Sequence, residues 1–148
     1  LVVAVIVGSE LLIANVGDSR AYLYRNFQIK QLTEDHTLVQ ELLKSGEITE
    51  EEAKCHPQRN IVTQSLGITL NVQIDFVRGS LKNEDTIFLC SDGLSNMIED
   101  HYIKEILGNY SDVETLANKA VEAANEAGGR DNITVAIAKY IAREEVEQ

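Results

Sequence analysis

Three aspartates stand at the edges of apolar runs, and their chemistry sets the first question. Asp18 follows the run LLIANV at 11–16, Asp92 follows IFLC at 87–90, and Asp131 lies in GGRDN at 128–132, just before an apolar stretch to residue 140. Short apolar runs rich in β-formers and bounded by turn residues read as strands. A carboxylate at a strand end is anchored by rigid structure yet reaches solvent, which suits a metal ligand. Carboxylates that converge repel one another and raise each other's pKa unless a cation neutralises them. An all-oxygen cluster selects hard ions, Mg²⁺ or Mn²⁺. Each aspartate also has a plain reading as a turn or cap residue, because Asp-Gly is a strong turn signal. The residues alone leave both readings open.

Other metals are poorly served. His36, His56 and His101 are scattered and read as surface or hydrogen-bonded histidines, while Cys55 and Cys90 lack zinc-type spacing. No twelve-residue loop with alternating acidic ligands supports a calcium module. Cys90, inside an apolar run, reads as a buried small hydrophobe, and the two thiols are expected to be free in a reducing, cytoplasmic compartment.

The surrounding elements must position these groups. The stretches 1–7, 11–16, 20–25 and 28–32 read as an antiparallel meander, the first of them as a buried strand. At 33–55 the pattern turns helical. Leu38, Val39, Leu42 and Leu43 recur at helical spacing, with Gly46 as a C-cap candidate. Thr49 and Glu52 form a capping box for a second helix. Such an acidic insert between strands, about 35–58, is longer than most loops and reads either as a flap facing substrate or as a plain solvated insert. Strands are expected again at 61–64, 72–77 and 87–90. A helix at 99–107 should stop at Gly108, and a longer one at 111–126 should open with a Ser111–Glu114 capping box. A last strand is expected at 132–140 and a frayed tail at 143–148. The order predicts an α+β fold, antiparallel rather than built of βαβ units.

The chain has 148 residues, enough for one domain with a core, and a net charge of −11 from 13 basic and 24 acidic residues. Such a surface disfavours nucleic acid and anionic membranes. The longest apolar run, at 1–7, is too short to span a bilayer. A hydrophobic strand rarely opens a domain without a polar turn before it, so the chain is expected to be the C-terminal part of something longer.

Five strings, in order, resemble the C-terminal motifs of the metal-dependent protein phosphatases of the 2C type. They are ANVGDSRAY at 14–22, LTEDHT at 32–37, HPQRN with SLG at 56–67, LCSDGL at 89–94 and GRDNITV at 129–135. The resemblance covers essentially the whole chain, and the flap is similar to that of the bacterial branch. It implies a four-layer αββα sandwich, helices flanking two antiparallel sheets, incomplete at its N-terminus. Residues 1–148 would form the C-terminal part of one catalytic domain. It further implies hydrolysis of phosphoserine and phosphothreonine by a metal-activated water, opposing a Ser/Thr kinase, with phosphorylated proteins as partners and a monomeric state. Asp92 and Asp131 would be metal ligands in a two-ion Mg²⁺ or Mn²⁺ site, and Asp18 with Asp92 would approach a third, weaker ion. No catalytic side chain is assigned in this chain, and substrate-binding residues stay unassigned.

Three departures qualify the resemblance. The family's N-terminal motifs, with a bridging Asp, a phosphate-binding Arg and a His, are absent, so the chain alone is expected to be inactive. Asn96 stands where many members carry an Asp, and Gln64 where many carry an Arg. The missing half-site also keeps open a pseudophosphatase or interaction domain on the same scaffold.

Overall fold

The computed structural model describes residues 1–68 and 71–142. The tail at 143–148 lies outside them. Strands β1 (Val2–Val7), β2 (Glu10–Asn15) and β5 (Asp75–Ser80) form one antiparallel sheet in the order β1-β2-β5. Strands β3 (Arg20–Arg25), β4 (Gln28–Gln31), β6 (Thr86–Cys90) and β7 (Val135–Lys139) form a second, in the order β4-β3-β6-β7. The first four strands are therefore two hairpins in different sheets, not one meander, and the chain crosses between sheets at residues 16–19.

The core has two decks. Between the sheets lie Leu11, Ile13, Ala21, Leu81 and Ile87. On the far side of the second sheet, Tyr22, Phe88 and Cys90 meet helices α3 (Asp92–Ser95), α4 (Asp100–Asn109) and α5 (Val113–Glu126) through Leu94, Ile103, Ile106, Leu107, Leu116 and Ala120. Strand β6 is thus covered on both faces, which explains its unbroken apolar run. Period two sends Ile87 to one deck and Phe88 to the other.

Three of the four expected layers are formed by the described residues. The outer face of the first sheet is open. Register places Val3, Ala14 and Phe76 side by side on it, with Val5, Leu12 and Arg78 in the next row. Val5 is 46% exposed and Phe76 62%. The strand expected to be buried at 1–7 is instead an edge strand with one bare face.

Local signals were read with mixed success. Helix α1 (Leu38–Ser45) is capped by Thr37 and ends at Gly46 with φ 74°, and α2 (Glu50–Cys55) opens with the Thr49–Glu52 box. The helix at 113–126 is capped by Asp112, whose carboxylate accepts from Thr115 N, rather than by Ser111. Helix α4 runs through Gly108, which abuts the Tyr24 hydroxyl. Residues 61–64 make only one bridge, Val62 to Thr37, instead of a strand. The strand placed at 72–77 begins at Asp75, where pairing with Asn15 starts. The last strand begins only at Val135, because the preceding backbone is held by Ser91.

One buried charge was missed. Asp85, the residue before β6, is 1% exposed. It accepts from Arg25 Nε at 2.8 Å and from the Lys82 N–H at 2.6 Å. Burial opposes its charge, but these donors outweigh burial and hold the carboxyl below its usual range. Replacing a paired buried charge is costly, so Asp85→Ala should lower the unfolding free energy by roughly 3 kcal/mol, read from urea midpoints. A depressed folded pKa stabilises above the unfolded value, near 4, and the benefit fades as pH falls toward the folded value. The gap between wild type and variant should therefore shrink from about pH 6 to about pH 3, on the same linkage. A gap indifferent to pH would refute the assignment.

Candidate functional site

Asp18 sits in the crossover between the sheets, half-buried. The crossover is held by side chains rather than by a ladder. Asn15 Nδ2 donates to Gly17 O at 3.3 Å and Glu34 O at 3.1 Å. The Gly17 N–H donates to His36 Nδ1 at 3.2 Å. With Nδ1 accepting, the ring proton sits on Nε2 and is donated to Asp75 Oδ2 at 2.9 Å. That bond holds the Asp75 carboxyl below its ordinary range. His36 is thus a buried, hydrogen-bonded histidine, in line with the sequence reading. The other amide atom, Asn15 Oδ1, is buried and finds no partner among the described residues. Buried polar atoms are normally satisfied, so this one marks an incomplete contact.

Arg20 starts β3, two residues beyond Asp18. Its Nε donates to both Asp35 oxygens at 3.0 Å, and Nη2 to Oδ2 at 2.7 Å. Nη1 reaches the Tyr22 hydroxyl at 3.2 Å, which donates in turn to Asp100 Oδ1 at 2.8 Å. Gln31 Nε2 adds a bond to Asp35 Oδ1 at 3.1 Å. The network joins strand β3, the root of the flap and the start of α4. Burial opposes the Arg20 charge, but the Asp35 carboxylate outweighs it and raises the guanidinium pKa. Sequence reasoning missed this network. The available signal was an arginine opening an otherwise apolar strand.

Asp92 is the first residue of α3, not a turn residue, and its Oδ1 accepts from Gly93 N at 2.9 Å. Ser91 stitches the end of β6 to the segment before β7. Its Oγ donates to Asn132 O at 3.1 Å and accepts from Thr134 N at 3.0 Å. A Cβ on Gly93 would lie 2.3 Å from Asn132 O and 3.4 Å from Asp131 C. The missing side chain lets the Asp131 backbone press against the residue next to Asp92. Asp131 itself is exposed, and its Oδ1 accepts from Asn132 N at 2.7 Å.

The structure brings Asp18 and Asp92 to one cleft and sets the Asp131 backbone against Gly93, the residue after Asp92. Asp18 and Asp92 both line a cleft of about 630 Å³ between the flap and helices α3 and α4. Asp131 is outside its lining. Burial first, then the Asp92 charge, raises the Asp18 carboxyl above its ordinary range. Among the described residues neither carboxylate has a cationic side chain within ion-pair distance, and the nearby Arg20 is bound to Asp35. An oxygen-only pair with unrelieved charge fits a hard divalent cation. Among the described residues, no three His, Cys, Asp or Glu side chains converge closely enough to hold one ion. Of the two departing residues, Asn96 lines the cleft, whereas Gln64 is outside its lining and its Oε1 accepts from Gln73 N at 3.1 Å.

The model of the protein phosphatase 2C family matches residues 1–42. The serine/threonine phosphatase stp of Listeria monocytogenes is 46% identical over 135 residues, 91% of this chain and 54% of that protein. The chain belongs to the protein phosphatase 2C family. Solved structures agree. The serine/threonine phosphatase PstP/Ppp of Mycobacterium tuberculosis superposes with a TM-score of 0.89 at 35% identity, covering 96% of this chain and 59% of that one. A structure of the catalytic domain of PstP, described as in complex with two manganese ions, gives 0.79 at 32% identity, covering 95% and 57%. The chain spans about half the length of the relatives it matches.

In this family member the contact at Gly93 carries a direct test. Gly93→Ala forces the 131–132 backbone away, and overpacking of this kind costs about 2 kcal/mol. The variant should unfold at lower urea and bind Mn²⁺ more weakly by calorimetry. Unchanged stability together with unchanged Mn²⁺ affinity would show that the contact positions nothing.

Proposed function

We propose that the protein hydrolyses phosphoserine and phosphothreonine in proteins, opposing a Ser/Thr kinase, with divalent cations held in part by Asp92, Asp131 and Asp18. The observation that carries this reading is the Asp18–Asp92 pair. Two carboxylates share the lining of one cleft, half-buried and with no ion pair of their own among the described residues. Such a pair costs stability unless a ligand balances it. The names of the relatives, both stp and PstP, support the reaction class.

A bound Mg²⁺ or Mn²⁺ would supply a Lewis acid that acidifies water and offsets charge on phosphoryl oxygens. The chain's own residues do the holding. Ser91 and the bare Cα of Gly93 keep Asp92 and Asp131 adjacent. Arg20 neutralises Asp35 and leaves Asp18 free for a cation. The Gly17–His36 bond fixes the loop that carries Asp18.

The described residues supply part of such a site. The orphan Asn15 Oδ1 and the bare outer face of the first sheet support completion by groups beyond this sequence. Within the longer protein, residues 1–148 act as the C-terminal part of one catalytic domain, with the flap at about 35–58, and alone they are inactive. A second reading, an interaction domain on the same scaffold, is favoured by the lack of three converging ligands among the described residues. The protein acts as a cytoplasmic monomer. No described helix is long and apolar enough to cross a membrane.

The first test is the DNA upstream of the Leu1 codon. The phosphatase reading expects the frame to continue into an Arg, then an Asp-Gly pair with a His. The complete protein should then hydrolyse phosphopeptides only with Mn²⁺ or Mg²⁺, and Asp92→Asn should lower kcat/KM at least about 100-fold, the scale of losing a group that stabilises the transition state. Full activity of Asp92→Asn, or indifference to a chelator, would refute it.

A further inference from the structure

The flap sorts its charges by face. Its cleft-facing surface is apolar and basic, from Val39 and Leu43 of α1 and from Ala53, Lys54 and Arg59 in and after α2. Of its acidic residues, Glu41, Glu47 and Glu50 to Glu52 are outside that lining, and Asp35, inside it at the flap's root, is bound to Arg20. The two cations are neighbours: Arg59 Nη1 donates to the Lys54 carbonyl at 3.4 Å. Among the described residues neither side chain has a carboxylate within ion-pair distance, whereas Arg20 in the same cleft is bound to Asp35. Lys54 and Arg59 are both exposed. In a chain with net charge −11, two unpaired cations held together on one wall of an otherwise acidic cleft form a local inversion of sign.

We infer that Lys54 and Arg59 select phosphoproteins carrying acidic residues beside the phosphorylated Ser or Thr. The inference rests on the phosphatase reading and extends it to substrate choice. A phosphopeptide seated with its phosphate toward Asp18 and Asp92 must leave the cleft along a wall. Acidic neighbours are repelled by Glu99 and Asp100 on the α4 side and attracted on the flap side. Leu43 and Ala53, both partly exposed, give the peptide's apolar groups a surface beside the two cations. The lysine offers a mobile point charge and the arginine a planar fork suited to a carboxylate. The contacts are solvent-exposed, so the preference must weaken with salt.

The experiment uses the complete protein with Mn²⁺ and two labelled peptides that carry a non-hydrolysable phosphonate in place of phosphoserine, one flanked by Asp and Glu and one by Asn and Gln. Fluorescence anisotropy reads binding, and hydrolysis of p-nitrophenyl phosphate reads catalysis independently. The acidic peptide should bind about 10-fold more tightly than the neutral one, on the scale of two exposed ion pairs. The Lys54→Gln/Arg59→Gln double variant should bring that ratio close to one. The charge-conserving Lys54→Arg/Arg59→Lys variant should keep most of it, and circular dichroism should show both variants folded. If the wild type turns over p-nitrophenyl phosphate but binds both peptides alike, or the double variant keeps the preference, the assignment fails and the phosphatase reading stands. If p-nitrophenyl phosphate is not turned over while the preference still depends on Lys54 and Arg59, the phosphatase reading fails and the recognition surface stands.

Discussion

The structure turns on a strand with no free face. β6 lies between the inter-sheet core and the helical layer, so its five residues cannot shift register without exposing one deck or burying charge in the other. The position where this strand leaves the core is consequently among the most rigid points in the molecule, and it is there that Ser91 and Asp92 stand. Ser91 spends its hydroxyl on the segment before β7, and Gly93 gives that segment room. The result is a carboxylate whose placement derives from the core, joined to a second loop by backbone contact rather than by a flexible side chain.

Charge is treated in two ways around this point. Asp85 and Asp35 are buried or half-buried carboxylates, and each has an arginine fork. Pairing of that kind holds structure in place and leaves little capacity for a ligand. Asp18 and Asp92 have no such partner, and Asp18 pays in a raised pKa. The contrast within one chain argues against indifference to burying acids. Where a carboxylate serves the fold it is neutralised from within, and the two that remain unbalanced line the same cleft.

Much of this was legible in the sequence, for local reasons. The unbroken run at 87–90 announced a strand covered on both faces, and Thr49 with Glu52 announced a helix start, because both signals are written in adjacent residues. What failed was non-local. Leu1 to Val7 looks like a core strand, yet a strand is buried only if something lies over it, and nothing described covers its outer face. Ser111 offered a plausible cap, but Asp112 is one residue nearer the helix and its carboxylate is the stronger acceptor for Thr115 N. The stretch at 61–64 had strand composition but only Thr37 to pair with. The Arg20–Asp35–Tyr22–Asp100 network spans 80 residues of sequence, and no spacing rule could have assembled it. Asp18, Asp92 and Asp131 are singled out by their setting at strand ends, whereas the contact that sets the Asp131 backbone against Gly93 exists only in three dimensions.

The bare outer face and the orphan amide oxygen are linked by one strand. β2 carries Leu12 and Ala14 on the open face and ends at Asn15, whose Oδ1 is buried without a partner among the described residues. A contiguous apolar face of this kind is seldom left to water in a folded monomer. By strand alternation Asn15 points with Leu11 and Ile13 toward the other sheet, away from that open face. A segment laid over β1 and β2 covers the valines without reaching the orphan oxygen, so the two demands lie on opposite sides of one strand.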